Sequence, residues 1–138
     1  MNYGRVFLSA IVATIVYFLS GSVVTVLGHS EYERYPAVYR PGPDIMSHMP
    51  IGVAATLIAI VVLAVIFARG YQGRRGVAEG AVFGLLVGIF AVCGFVLHNY
   101  VNLNIGLKLT VEQATGYLFE WILVGIVIGV LYKPRPTV

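Results

Sequence analysis

Glu120 and the histidines His29, His48 and His98 are the residues of this chain with the most chemical reach, because their surroundings are so apolar. Glu120 stands in the run Gly116-Tyr-Leu-Phe-Glu120-Trp-Ile-Leu-Val-Gly125, with Lys108 and Lys133 the nearest basic residues along the chain. An ionisable group inside such a run relays a proton or cation, anchors a ligand, or fastens two helices as a neutral carboxyl. Tyr17, central in another apolar run, needs a hydrogen-bond partner wherever water is absent. The two therefore form an expected midplane pair, with Thr14 beside them. A lone carboxylate is costly there, so Glu120 is expected protonated and structural, with relay or cation binding as the alternative. Glu79 is expected to cap a helix start near Arg74 and Arg75.

The three histidines lie at the ends of apolar runs, at the level of Glu31, Glu33, Asp44, Asn99, Asn102 and Glu112. Imidazole beside carboxylate binds Zn or Cu, or holds haem iron. Met46 and Met49, flanking His48, suit Cu(I). No histidine pair has a ligand spacing on one helix face, so polar residues simply gathered at a membrane boundary are the default explanation of the cluster. His29, His48, His98 and Glu112 are the candidate outer-face ligand site. No metal is assigned to it, no cofactor is the leading expectation, and haem or copper are the alternatives.

No phosphate loop, Cys-x-x-Cys pair, serine elbow, zincin motif or basic-aromatic strip is present, so no catalytic residue and no nucleic-acid partner are expected. Cys93 is the single cysteine, expected to pack as a small apolar residue.

The elements that must position these residues are apolar helices. Of 138 residues, 59% are hydrophobic and 11% charged, far from the roughly one quarter charged of soluble domains. Four runs, about 6–28, 50–68, 77–99 and 109–132, each approach the roughly 20 residues that span a bilayer. The first is expected to be retained rather than cleaved as a signal peptide. Arg5, Arg69, Arg74, Arg75, Lys133 and Arg135 fall on one side of four alternating spans, and Arg34, Arg40 and Lys108 on the other. By the positive-inside rule both termini are cytoplasmic, in what is expected to be a prokaryotic plasma membrane.

Glycines shape the packing. Gly76, Gly80, Gly84 and Gly88 recur every four residues as one stripe on the third run, and that azimuth continues through Ala91 and Gly94 to His98. Gly125 and Gly129 mark a face of the fourth run. Such stripes let backbones approach closely, and two of them exceed what one small bundle is expected to use internally. Between the first two runs, Pro36, Pro41 and Pro43 stiffen an outer cap whose Tyr32, Tyr35 and Tyr39 suit the headgroup level. Pro50 is expected in the first turn of the second helix. Thr110 is expected to cap the fourth, with Gln113 completing the capping box. The short turn from Arg69 to Gly76 makes the second and third helices antiparallel neighbours.

The fold class expected is an all-α, antiparallel four-helix transmembrane bundle, residues 1–138 forming one domain. Its leading function is interaction: a non-catalytic subunit of a membrane complex, or a self-associating bundle, with the lipid bilayer and other subunits or itself as partners. The alternatives are a haem, quinol or lipid module around His98, and proton- or cation-coupled transport through Glu120 in an oligomer.

Overall fold

The computed structural model describes residues 1–73 and 75–132, so Arg74, Lys133 and Arg135 of the basic set lie outside the described residues. The described residues are helical and form no strand. Helix α1 is Tyr3–Tyr32 and α2 is Gly42–Gly70; α3, Gly76–Ala91, runs through a wide π-helical turn, Val92–Val96, into α4, Leu97–Asn102; α5 is Leu107–Leu131. With α3 and α4 counted as one continuous rod, four helices are long and apolar enough to cross a membrane. A helix satisfies all of its own backbone polar groups, which is why apolar runs of this length take that form.

The ends differ from those read in the sequence. The second helix begins eight residues earlier, at Gly42, with Pro43 in its first turn and Pro50 inside it. The outer loop shrinks accordingly, and His48 becomes a helical residue. The fourth helix begins at Leu107 with Gly106 as its N-cap, so Thr110 lies one turn inside and hydrogen-bonds back to the Gly106 carbonyl at 3.1 Å. Gln113 is thereby released from a capping role.

The packing order is α2–α1–α5–α3, with α5 in the centre of the contacts. Helices α2 and α3 are consecutive but are not packed along their length; they meet through the Phe67 and Phe83 rings, 5.4 Å apart. Between α3 and α5, glycine faces glycine: a Cβ placed on Gly80 would stand 2.3 Å from the Gly125 carbonyl oxygen, and one on Gly76 2.1 Å from that of Gly129. At Gly84 the obstacle is the Trp121 carbonyl oxygen, at 2.2 Å. Helices that touch backbone to backbone exclude any competitor from that seam. The two glycine stripes expected to serve separate partners are thus used on each other.

The closest α1–α5 approaches, Gly21 on Glu120, Val24 on Gly116 and Gly28 on Glu112, run in opposite chain directions. Ser9, Ala10, Ala13 and Thr14 of α1 are buried in the same bundle half as Ile60, Ala64 and Phe67 of α2. Their hydroxyls are satisfied locally, Ser9 Oγ donating to the Val6 carbonyl at 2.9 Å and Thr14 Oγ1 to that of Ala10 at 2.8 Å. The core cluster joins Val6, Ala10, Ile60, Phe67, Val124 and Tyr132. It fills the end of the bundle where α1 begins and α5 ends. At the other end the first half of α2, residues 42–55, is almost wholly exposed. That half of α2 leans away, and a groove opens behind it.

The glycine stripe ends at the π-helical turn. Gly80, Gly84, Gly88 and Ala91 are buried, whereas Gly94 faces open space and His98 is exposed. One residue added to a turn rotates everything after it, so His98 leaves the azimuth that α-helical spacing assigns to it.

Candidate functional site

The groove is lined by α1 from Tyr17 to His29, by the loop through Pro36, Tyr39 and Arg40, by the start of α2, and by Gln113, Tyr117 and Glu120 of α5. Its volume is about 1210 Å³. Glu120 lies at its floor, 6% exposed, about midway along α5 between Leu107 and Leu131. Tyr17 is similarly central in α1. The floor is close-fitting, since an ideal Cβ on Gly21 would lie 3.4 Å from Glu120 Oε1. A larger residue at 21 would push the carboxyl aside.

Glu120 and Tyr17 share this floor without bonding to each other. Among the described residues, neither their side chains nor that of Tyr117 makes a hydrogen bond. The Tyr17 ring instead packs on Trp121, with centroids 5.3 Å apart, and on Phe18 at 5.6 Å. Thr14 spends its hydroxyl on its own helix. The expected structural pair is therefore replaced by three polar groups whose hydrogen-bonding capacity faces the same space. Buried polar groups are ordinarily bonded, and exceptions need an explanation.

Above the floor, the tyrosine cap is tied down. Gln113 Nε2 donates to the Tyr39 hydroxyl at 2.9 Å and lies 3.4 Å from that of Tyr32; the Tyr35 hydroxyl accepts from the Gly106 amide at 2.9 Å. Tyr32 and Tyr39 pack edge to face at 5.0 Å. Two of these phenols, expected with wet tips at a headgroup level, turn inward onto α5. Beside them Lys108 binds Glu31, which is buried under it, and lies 3.8 Å from Glu112. Arg34 adds a contact to Glu31 at 3.6 Å. This cross-helix ion group joins α1 to α5. It was hidden in the sequence because its partners lie 77 positions apart.

The histidines stay on separate helices. His29, at the groove rim, pairs with Glu33 at 3.1 Å. His48 Nδ1 approaches the Asp44 carbonyl at 2.9 Å and the Asp44 carboxylate at 3.3 Å. His98 Nδ1 meets the Cys93 carbonyl at 3.0 Å, an i,i+5 contact that the wide turn makes available. Among the described residues no three His, Cys, Asp or Glu gather as a metal-ion set. Glu112 is engaged elsewhere: its Oε2 is buried against Gly28 without a hydrogen-bond partner among the described residues.

A second cleft, about 640 Å³, separates α2 from α3 at the opposite end, between Ile66, Phe67, Val82 and Phe83. Arg75 and Glu79 stand on its wall, and Glu79 accepts from the Gln72 amide at 2.9 Å. This ties the loop to the first turn of α3, a structural use of that carboxylate.

Trp121 was not singled out by sequence reasoning, although the chain has one tryptophan and it follows Glu120 directly. That adjacency was the available signal. Its indole Nε1 is buried with no hydrogen-bond partner among the described residues.

Four apolar helices make this an integral, multi-pass membrane protein. Comparison of the chain with protein-family models, curated proteins and solved structures finds no match.

Proposed function

We propose that this protein is a membrane-embedded binding protein for an amphipathic small molecule, received in the groove between α1, α5 and the leaning half of α2. One observation carries the reading: a groove of about 1210 Å³ that ends on a buried carboxyl flanked by two phenols, none of them hydrogen-bonded among the described residues. Ligand sites are concave and mostly apolar, with a few convergent polar groups that set orientation. The interaction-subunit reading rested on glycine surfaces left free for partners. Those surfaces are occupied by each other, so ligand binding has the better support. A haem or copper centre on His98 has no second ligand in support, since that ring is exposed and turned to its own helix.

The test uses the single tryptophan as reporter. Protein in phosphatidylcholine vesicles is titrated with diphenylhexatriene, a neutral apolar rod, and energy transfer from Trp121 is recorded. The expected result is a saturable component above that of probe dissolved in the bilayer, lost in Thr25→Phe, which plugs the exposed groove wall at Thr25. Transfer that rises only with probe density, equally in both proteins, would remove the binding reading.

The charge asymmetry supports an orientation with both termini cytoplasmic. In a protein whose exposed Cys93 is replaced by Ser, single cysteines at Gln72 and Ala37 should label from opposite faces, Gln72 from the cytoplasmic one. Labelling of both from one face would end the four-span reading.

A further inference from the structure

From the charges lining the groove, we infer that its ligand is a lipophilic cation: an ammonium head, without an attached phosphate, on an apolar tail. This rests on the groove being a binding site and adds the chemical class of what it binds.

The argument is one of charge and shape. Glu120 is the acidic residue at the floor, and Tyr17 and Tyr117 line the groove with it. The basic residues that line the groove, Arg40 and His29, are at its mouth and already engaged, Arg40 with Asp44 at 2.7 Å and His29 with Glu33 at 3.1 Å. The floor thus offers a negative group, hydroxyl oxygens and aromatic faces, but among the described residues no cation. An ammonium ion matches every one of these: it pairs with a carboxylate and is attracted to the negative face of an aromatic ring. Glu120 is 6% exposed, and attractions to so buried a group are screened less than those at a surface. A carboxylate or phosphate head would instead bring like charge beside Glu120, with no cation to offset it. For the same reason the headgroups of ordinary phospholipids are disfavoured at the floor, whereas their tails are compatible with the apolar walls formed by Phe18, Val24, Val26, Ile45 and Met49. The floor lies mid-helix, about 20 Å from the start of α5 at 1.5 Å per residue. A tail is therefore needed to carry the head to that depth.

The experiment compares three probes that share one rod: the trimethylammonium derivative of diphenylhexatriene, the neutral parent and the propionic acid derivative. Each is titrated against Trp121 emission in phosphatidylcholine vesicles, and the saturable part, defined by Thr25→Phe, is compared. The cation is expected to bind roughly tenfold tighter than the parent or better, and the propionate more weakly than either. Glu120→Gln, which keeps the shape and removes the charge, should abolish the preference for the cation over the parent. The helical circular-dichroism signal and melting profile certify that this variant is folded; should it be unfolded, the wild-type order of the three probes decides alone. Equal affinity of cation and parent in the wild type, or a cation preference that survives in folded Glu120→Gln, would overturn the cation assignment while leaving the groove as a binding site. No saturable binding of any probe would overturn both readings. Added phosphatidylethanolamine is the source control. It should leave the trimethylammonium titration unchanged, and its displacement of the probe would show that the head is a phospholipid amine, against the proposal.

Discussion

Gly84→Leu is expected to abolish the folded protein in mild detergent, and even Gly80→Ala should leave it severely destabilised. An ordinary overpacked side chain costs about 1–3 kcal/mol because neighbouring side chains can shift. Here the obstacle is main chain: the first atom added at Gly84 falls 2.2 Å from the Trp121 carbonyl oxygen, and at Gly80 2.3 Å from that of Gly125. Relief requires α3 and α5 to separate along the whole seam. The loss is read by size-exclusion profile and thermal unfolding. Gly94→Ala provides the control, because nothing lies within 4 Å of that position and the substitution should be near neutral. A Gly84→Leu protein with unchanged elution and melting would mean that the seam is not formed.

Glu120→Leu should raise stability while removing cation binding. Had the carboxyl been bonded to Tyr17, leucine would have orphaned the phenol and weakened the fold. Tyr17 rests on Trp121 and Phe18 instead, and Glu120 accepts no hydrogen bond among the described residues. Taking away a buried polar group that lacks a partner removes its desolvation cost, on the order of 1 kcal/mol. The melting temperature should therefore rise by a few degrees, with Glu120→Gln close to the wild type. A fold that retains a destabilising carboxyl is one in which that carboxyl serves something other than the fold. If Glu120→Leu melts lower than the wild type, the carboxyl is structural after all, and the groove loses the feature that assigns its ligand.

The chain by itself determined a good deal. Four apolar runs, each near the length of a bilayer, require helices because nothing else closes its backbone hydrogen bonds without water. Glu120 was conspicuous for the same reason, a carboxyl in a run too apolar to solvate it. The glycine spacing made close helix contact legible, since an every-fourth-residue repeat lies on one face wherever the α-helix continues. The helix ends were less legible. Pro50 and Thr110 carry strong start signals, yet each lies inside its helix, because Pro43 and Gly106 upstream supply earlier starts, and a start signal does not forbid one.

Tertiary structure alone decided who faces whom. One stripe of glycines states that something approaches closely but does not name it; only the assembled bundle pairs Gly76 with Gly129 and Gly80 with Gly125, and thereby sets α2 apart from α3. The wide turn at Val92–Val96 could not be read from composition, and it carries His98 off the buried face. Glu31 and Lys108, or Tyr39 and Gln113, are far apart in the chain and meet because α1 lies along α5. The groove itself is of this kind. Glu120 stood out in its own helix, but nothing in the chain placed a groove beside it, and the empty volume exists because α2, held at one end by Ile60, Ala64 and Phe67, is left unpacked at the other. Periodicity reports which face of a helix is special, whereas a cavity is a relation between helices, and that relation is set by the tightest seam in the bundle.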